Sequence, residues 1–212
     1  MANLDMIYNR KSVRKFKDVE VPREDLIKML EAATEAPSPK HQQNWNFVVV
    51  TNKELINKMA EIVTASHEKI GEIAKTEKDR KIHMSVIKYY TAFKNAPAVV
   101  MVYSKPYDMI EYKILKENGA PQEVLDVLVS PQSAAQAIGA AVENFLLAAT
   151  EMGYGSCYMT GPTHAKKELE ELIGFEKPNY ELMSMIAVGL AEDNTPAKLP
   201  RKPLEEVVTF ID

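Results

Sequence analysis

Two arginines and a serine lie close together near the N-terminus, in the stretch NRKSVRKF from residue 9 to residue 16. Extended backbone would turn Arg10, Ser12 and Arg14 to one side, and helical backbone would still make the two arginines neighbours. Guanidinium groups bind phosphate through paired hydrogen bonds, and a serine hydroxyl donates another. The pattern therefore predicts a small anion site, although taken alone it fits a solvated basic turn more simply.

The chain as a whole is slightly acidic, with a net charge of −4 over 212 residues. Because most nucleic-acid-binding surfaces need a broad basic face, this balance argues against a nucleic-acid partner. A hydrophobic content of 46% allows a core of useful size at this length. We find no signal segment and no stretch apolar enough to span a membrane. The single cysteine, Cys157, cannot form an internal disulfide, so we expect a protein of the reducing cytoplasm.

Other familiar chemical signatures are missing. Gly153-Tyr154-Gly155 begins like a dinucleotide-binding fingerprint, but Tyr158 occupies the third glycine position, so a Rossmann fold is not predicted. There is no phosphate-cradling GxxxxGK motif, and the four histidines lack metal-ligand spacing. Cys157 lies in an apolar stretch that suits a buried, inert thiol. We therefore predict no metal site and no cysteine nucleophile.

Helix and strand patterns alternate along the chain. Four apolar, β-branched runs predict buried strands, at residues 45–51, 96–104, 155–160 and 182–191. Apolar residues at helical spacing predict helices, marked by Leu26 to Ala33, Leu55 to Val63, Ile82 to Phe93, Ser130 to Met152 and Thr163 to Gly174. Ser130 and Thr163 are expected to cap the last two helices. These elements predict an α+β fold with α/β-like alternation, in which helices cover a sheet.

Two segments do not fit this alternation. Residues 105–130 contain two helix-like pieces broken at Asn118-Gly119, and we predict an excursion that lies over the main fold as a lid. Residues 205–211, with the sequence EEVVTFI, are predicted to form a last edge strand.

Four segments, taken in order, resemble the nitroreductase family of FMN-dependent oxidoreductases. They are NRKSVRKF (9–16), EAPSPKHQQNWNFVVV (35–50), AAVENFLLAATEMGYGSCYMTGP (140–162) and LPRKPLEEVV (199–208). The resemblance implies one domain over residues 1–212, with a mixed central sheet flanked by helices and an insertion near 105–130. It also implies an intertwined homodimer with FMN at the interface. The Ala/Gly-rich helix would then be a central dimer contact, although close packing within one subunit explains it equally well.

The resemblance implies a role for each matching residue. Arg10 and Ser12 would hold the phosphate end of FMN, with Arg201 as a second phosphate-binding arginine. Arg14 would reach flavin N1 and O2, and the backbone N–H of Gly161 would approach N5. No side chain is expected to be catalytic, because flavin N5 carries the chemistry. The implied cofactor-binding residues are Arg10, Lys11, Ser12, Arg14, Pro37, Ser38, Pro39, His41, Met159, Thr160, Gly161 and Arg201.

Several of these residues also have a simpler local explanation. The loop with Pro37, Ser38 and Pro39 would lie along the flavin of the other subunit, but it is equally a helix stop and a turn. Thr160-Gly161 fits an ordinary strand end. Arg201 fits a solvated charge in the tail. His41 stands where the family often has Asn, and it also fits a surface loop.

By the same resemblance, NAD(P)H would reduce FMN by hydride transfer, and an organic acceptor such as a nitroaromatic or quinone would follow in a ping-pong cycle. Five side chains could line the acceptor pocket or could instead pack the core and the lid: Tyr89, Tyr90, Phe93, Met109 and Tyr112. Three alternatives stay open. They are a specialised enzyme of the same fold that dehalogenates or modifies flavin, an FMN-storage protein without fast turnover, and an interaction module that has lost the flavin.

Overall fold

A four-stranded sheet forms the centre of the protein, seen in a computed structural model that describes residues 4–211. Its strands are β1 (Trp45–Val50), β2 (Ala98–Ser104), β3 (Gly155–Met159) and β4 (Glu181–Gly189). They lie in the order β1-β2-β4-β3, and each neighbouring pair is antiparallel. All four strands predicted from apolar, β-branched runs are confirmed.

Helices cover both faces of the sheet. Their bounds are α1 (Asp5–Asn9), α2 (Arg23–Thr34), α3 (Lys53–Gly71), α4 (Glu77–Met84), α5 (Ile87–Tyr90), α6 (Ile110–Glu117), α7 (Gln122–Val129), α8 (Ser133–Glu151) and α9 (Lys166–Ile173). Successive residues of β2 point to opposite faces, so Val99 and Met101 pack towards α3 and α9, while Val100 and Val102 pack towards α2 and α8. The protein therefore has three layers, as the predicted α+β class requires.

The Ala-rich helix α8 packs against α2 within the same chain. Its inward face includes Ala141, Val142 and Phe145, which are completely buried. The Asn144 side chain donates a hydrogen bond to the Ala32 carbonyl at 3.2 Å, which fixes the two helices relative to one another. On the outer side, a Cβ added to Gly139 would meet nothing within 4 Å. Packing within one subunit thus accounts for one face of α8 and leaves another face open.

The helix predicted from Ile82 to Phe93 is wrong as one continuous element. The chain forms α4, then α5, then a 3-10 turn over Ala92–Asn95. The break falls at Ser85, whose hydroxyl donates to the Ile82 carbonyl at 2.7 Å. A hydrogen bond from a serine side chain to a nearby carbonyl competes with continuation of the helix. The spacing of apolar residues does not indicate where such a bond forms.

Both predicted serine and threonine caps are wrong. Ser130 ends α7, because its N–H donates to the Asp126 carbonyl at 2.9 Å, and α8 begins after Gln132, which adopts a left-handed φ of 50°. The Thr163 hydroxyl donates to the Thr160 carbonyl at 2.8 Å and closes the 3-10 turn Gly161–Ala165. Helix α9 therefore starts only at Lys166.

Residues 205–211 form no strand within the described chain, so the predicted edge strand is wrong for a single copy. A short 3-10 turn, Leu204–Glu206, is followed by exposed residues. The excursion at 105–130 does contain two helices, α6 and α7, separated near Gly119 at a φ of 74°. Its role as a lid stays a prediction. Among residues 4–211, no helix is long and apolar enough to cross a membrane.

Candidate functional site

The N-terminal arginine segment runs along the outer edge of β3. The Val13 N–H donates to the Ser156 carbonyl at 2.9 Å, and Ser12 forms an isolated parallel bridge with Ser156. This bridge is a parallel pairing outside the four strands, which pair antiparallel with one another, so the mixed sheet that the resemblance implied is not seen among the described strands. Gly155 permits the close approach, because a Cβ there would lie 2.7 Å from a Val13 methyl group. The sequence segment with the basic residues is thus attached to the sheet by its backbone.

Extended backbone turns the polar side chains of this segment outwards. Val13 is buried, whereas Ser12 and Arg14 on either side of it are exposed. Ser12 and Arg14 therefore point to the same side, as the extended alternative in the sequence predicted. The Arg10 guanidinium Nε lies 3.5 Å from a Glu143 carboxylate oxygen on α8, and Arg14 lies over the Tyr89 ring at 5.5 Å from its centre.

The same two arginines lie near the Cys157 thiol on β3. Burial raises the pKa of Cys157, while the nearby charges of Arg14 and Arg10 and a hydrogen bond from Arg14 oppose that rise. Because the net direction is upwards and the side chain is buried, the thiol stays protonated. The prediction of an inert, buried cysteine agrees with this environment.

The C-terminal tail lies beside the arginine segment. The Lys11 amine donates to the Pro196 carbonyl at 3.0 Å, and the Lys198 amine donates to the Tyr8 carbonyl at 2.9 Å. Lys11 is therefore engaged with the tail. Arg201 follows a few residues further along and is exposed, with no ion pair or hydrogen bond among the residues that the structure describes.

The end of β3 brings the other sequence-predicted residues to the same edge. Met159 packs its side chain into the core, which leaves its backbone to face a ligand. Thr160 is exposed, and Gly161 begins a 3-10 turn directly after it. The first N–H groups of a helical turn lack an acceptor within that turn, so the Gly161 N–H is suited to bind a ligand atom.

The loop from Pro37 to His41 lies elsewhere in the chain. It precedes β1, the edge strand opposite β3, and three strand spacings of about 4.8 Å each separate these edges by about 14 Å. Within the loop, the Ser38 hydroxyl accepts from the Gln43 N–H at 3.0 Å, and the His41 ring meets the Gln43 amide at 3.0 Å. One chain therefore does not bring this loop together with Gly161.

Two surface cavities lie apart from the predicted cofactor residues. One, of about 860 Å³, follows the β1 edge and is lined by Ile27, Leu30 and Val49. The other, of about 770 Å³, lies between the segment 104–113 and the start of α8, and includes Met109 and Tyr112.

The five residues proposed for an acceptor pocket do not meet within one chain. Met109 and Tyr112 line the second cavity, whereas Tyr89 lies under Arg14 and Tyr90 against Gly161. Phe93 is completely buried in the core. For Phe93, core packing is therefore the correct alternative.

Three histidines that the sequence did not connect meet behind Gly161. We call His67, His83 and His164 the histidine cluster. The His67 and His83 rings stack at 3.8 Å, and His164 lies 5.5 Å from His67 between ring centres. Within residues 4–211, no group of three or more His, Cys, Asp or Glu residues could hold a metal ion. One sequence signal pointed to a buried histidine here. His67 lies four residues after Val63 and so continues the buried face of α3.

Burial lowers the pKa of His164 below its ordinary 6.5, and the neighbouring His67 and His83 lower it further. The unfolded chain therefore takes up this proton at higher pH than the folded chain does. We expect the free energy of unfolding of the FMN-free chain to fall as pH drops below about 6.5. His164→Asn should reduce that slope in urea titrations at several pH values, whereas His41→Asn, in an exposed loop, should leave it unchanged. Equal slopes in the wild type and His164→Asn would contradict this assignment.

The helix-covered sheet, with the arginine–serine segment along its edge strand, places the chain in the class of α+β proteins. A model of the Nitroreductase family matches residues 7–190, so the chain belongs to that family and has its fold. The family resemblance found in the sequence is confirmed.

Individual relatives cover almost the whole chain. A protein of Archaeoglobus fulgidus assigned as an NADH dehydrogenase/NAD(P)H nitroreductase is 30% identical over 90% of this chain and 86% of its own. A BluB-like flavoprotein from Clostridium difficile 630 is 39% identical, with a TM-score of 0.91 and both chains fully covered. An oxidized iodotyrosine deiodinase bound to FMN and 3-iodo-L-tyrosine is 26% identical, with a TM-score of 0.69 over 98% of this chain and 97% of that chain.

Proposed function

We propose that this protein is an FMN-dependent oxidoreductase that passes electrons from NAD(P)H to a small organic acceptor. The observation that carries the proposal is the attachment of the Arg10–Arg14 segment to β3, the strand that ends directly before Thr160 and Gly161. The similarity of the whole chain to a BluB-like flavoprotein and to an iodotyrosine deiodinase bound to FMN supports FMN as the cofactor.

The donors at this edge fit a flavin phosphate. Ser12 and Arg14 are exposed on one side of the extended segment, and Arg10 meets Glu143 through its Nε, which leaves its other guanidinium nitrogens for an anion. Arginine and serine donors match the oxygens of a phosphate group. Arg10 and Ser12 would hold the phosphate, while Arg14 and the Gly161 N–H would face the ring system. FMN, when bound, supplies the hydride and electron chemistry.

A second copy of the chain would complete the site. The Pro37–His41 loop lies at the opposite edge of its own sheet, about 14 Å away by strand spacing, so we propose that it serves the site of a partner subunit. The exposed side chains of Leu204, Val207 and Phe210 form an apolar tail segment. Such a segment suits the groove along β1 of another copy, which exposes Ile27, Leu30 and Val49 and where β1 has no outer neighbour among the described strands.

A second candidate reaction is the reductive dehalogenation of an aromatic acceptor. The similarity to iodotyrosine deiodinase supports it, as does the cavity beside the 105–130 excursion, which combines Tyr112 and Met109 with the charged Lys113 and Asp108. Such a lining suits an aromatic molecule that also carries charged groups.

An anaerobic absorbance experiment tests the proposal. The purified protein is reconstituted with FMN, mixed with NADH or NADPH, and then given a quinone, a nitroaromatic or 3-iodo-L-tyrosine. We expect the flavin bands to bleach and to return with one of these acceptors. If the flavin bands return on addition of 3-iodo-L-tyrosine and iodide is released, the result would favour dehalogenation. Bands that persist with both nucleotides would favour FMN storage, and failure to bind FMN would overturn the proposal.

A further inference from the structure

The ring of Tyr90 lies directly against the backbone of Gly161. A Cβ added to Gly161 would be 2.1 Å from Tyr90 Cδ1 and 2.3 Å from Tyr90 Cε1, well inside any permitted contact. Residue 161 can therefore be only glycine while Tyr90 keeps this position. Conversely, steric contact with the Tyr90 ring limits the movement of the Gly161 backbone.

The histidine cluster supports Tyr90 from the other side. The Tyr90 ring meets His67 edge-on at 5.3 Å and His164 at 5.8 Å between ring centres. His67 and His83 are fixed to each other, since each Nε2 donates to the backbone carbonyl of the other, both at 2.9 Å. His164 lies in the same 3-10 turn as Gly161. Tyr90 is thus packed between a rigid imidazole pair and the turn that begins at Gly161.

The surroundings of His164 disfavour its charged form. The titratable groups that face His164 are His67 from α3, His83 from α4, Tyr90 from α5 and Glu168 from α9. Glu168 is the one carboxylate among them, and two imidazoles oppose it. His164 Nδ1 meets the Ser66 hydroxyl at 3.0 Å, while its buried Nε2 has no partner among the described residues. In the imidazolium form both ring nitrogens carry a proton, so Nε2 would then be a buried donor with no acceptor among the described residues.

We propose that Tyr90 is a positioning residue that fixes the Gly161 backbone beside the flavin, and that the packed rings of the histidine cluster keep Tyr90 in place. Protonation of His164 in acid brings charge into this packed space, separates His164 from His67 and releases Tyr90. The Gly161 N–H then loses its fixed direction. This inference rests on the proposed function, which assigns that N–H to the flavin.

Stopped-flow reduction of the FMN-bound protein by NADH or NADPH, whichever reacts, tests the positioning role. Tyr90→Leu should slow flavin reduction about 10- to 100-fold, because small displacements of a positioning group have effects of that size. Tyr90→Phe keeps the ring and should restore the wild-type rate. Tyr180→Leu removes another partly buried tyrosine of the same core and serves as the matched control. A wild-type rate in folded Tyr90→Leu would overturn the proposal.

The pH dependence of the same rate tests the cluster. In the wild type, flavin reduction should slow as pH falls below about 6.5, the ordinary pKa of histidine. In His164→Asn, which retains a side-chain partner for Ser66, this acid loss should shrink. Identical pH profiles in the two proteins would overturn the role of the cluster.

A measurement without FMN separates this proposal from the proposed function. With glycine labelled by ¹⁵N, the Gly161 amide signal of the FMN-free wild type should shift with pH in parallel with the His164 ring signals. In Tyr90→Phe this coupling should persist, and in Tyr90→Leu it should be lost. If the wild type binds no FMN, the proposed function fails. The Gly161 amide signal would still show whether Gly161 is coupled to the protonation of His164. If the Gly161 amide signal of the wild type does not change while His164 titrates, the proposal is overturned. This outcome can be read even if Tyr90→Leu does not fold.

Discussion

Arg10→Ala is expected to weaken FMN binding about 10- to 100-fold, since loss of one charged hydrogen bond costs about 1.5–3 kcal/mol. Arg10 is the least exposed arginine of the motif, with 16% of its side chain accessible, and its segment is attached to β3 by the Val13 N–H. The free energy of unfolding of the FMN-free chain should change little, because the only ion pair lost is with the half-exposed Glu143. Fluorescence titration of FMN gives the affinity, and urea unfolding gives the stability.

Arg80→Ala is the matched control, because Arg80 is an exposed arginine on α4, away from β3. Arg201→Ala is the informative comparison. Arg201 has no hydrogen-bond or ion-pair partner among residues 4–211, so weaker FMN binding in this variant would indicate that the tail closes onto the phosphate. Equal FMN affinity in the wild type, Arg10→Ala and Arg201→Ala would remove the phosphate assignment altogether.

Phe210→Ser is expected to raise the dissociation constant of the proposed homodimer by at least about 100-fold. Phe210 is 82% exposed in one chain, and burying such a side chain contributes about 1.5–3 kcal/mol. A two-fold symmetric dimer contains the contact twice, so the loss of binding free energy is twice that of one Phe210 side chain. FMN affinity should fall as well, since the proposed site needs the partner's loop. Sedimentation velocity over a range of protein concentrations measures the association.

Ile73→Ser provides the control for this experiment. Ile73 is 80% exposed and follows α3, far along the chain from the tail. It loses a comparable amount of exposed apolar surface without touching the proposed interface. A dimer that is equally stable in Phe210→Ser and Ile73→Ser would contradict the proposed place of the tail on β1.

The sheet and most helices could be predicted because their signals are local. Runs such as WNFVVVT at 45–51 combine β-branched residues with clear boundaries, and a buried strand needs both. Two of the errors arose where one side-chain hydrogen bond decided the backbone. Ser85 ends α4 and Thr163 closes a 3-10 turn through bonds to nearby carbonyls, and apolar periodicity carries no information about either.

The candidate site was only partly visible in the sequence. The Arg10–Arg14 motif could be found because its residue types and spacing match a phosphate, and the extended backbone then turned Ser12 and Arg14 to one side. The histidine cluster could not be found, because it joins α3, α4 and the turn after β3. Contacts between elements far apart in sequence depend on the packing of the whole fold, which no local pattern describes.

The attachment of the arginine segment has a consequence for biosynthesis. Its partners come late in the chain: Val13 bonds to Ser156, and Lys15 accepts from Glu192. Because a chain is synthesised from its N-terminus, these two backbone partners emerge long after the segment itself. The segment is therefore made early, but the hydrogen bonds that hold its backbone to the sheet and to the segment after β4 form only once residues 156 and 192 are available.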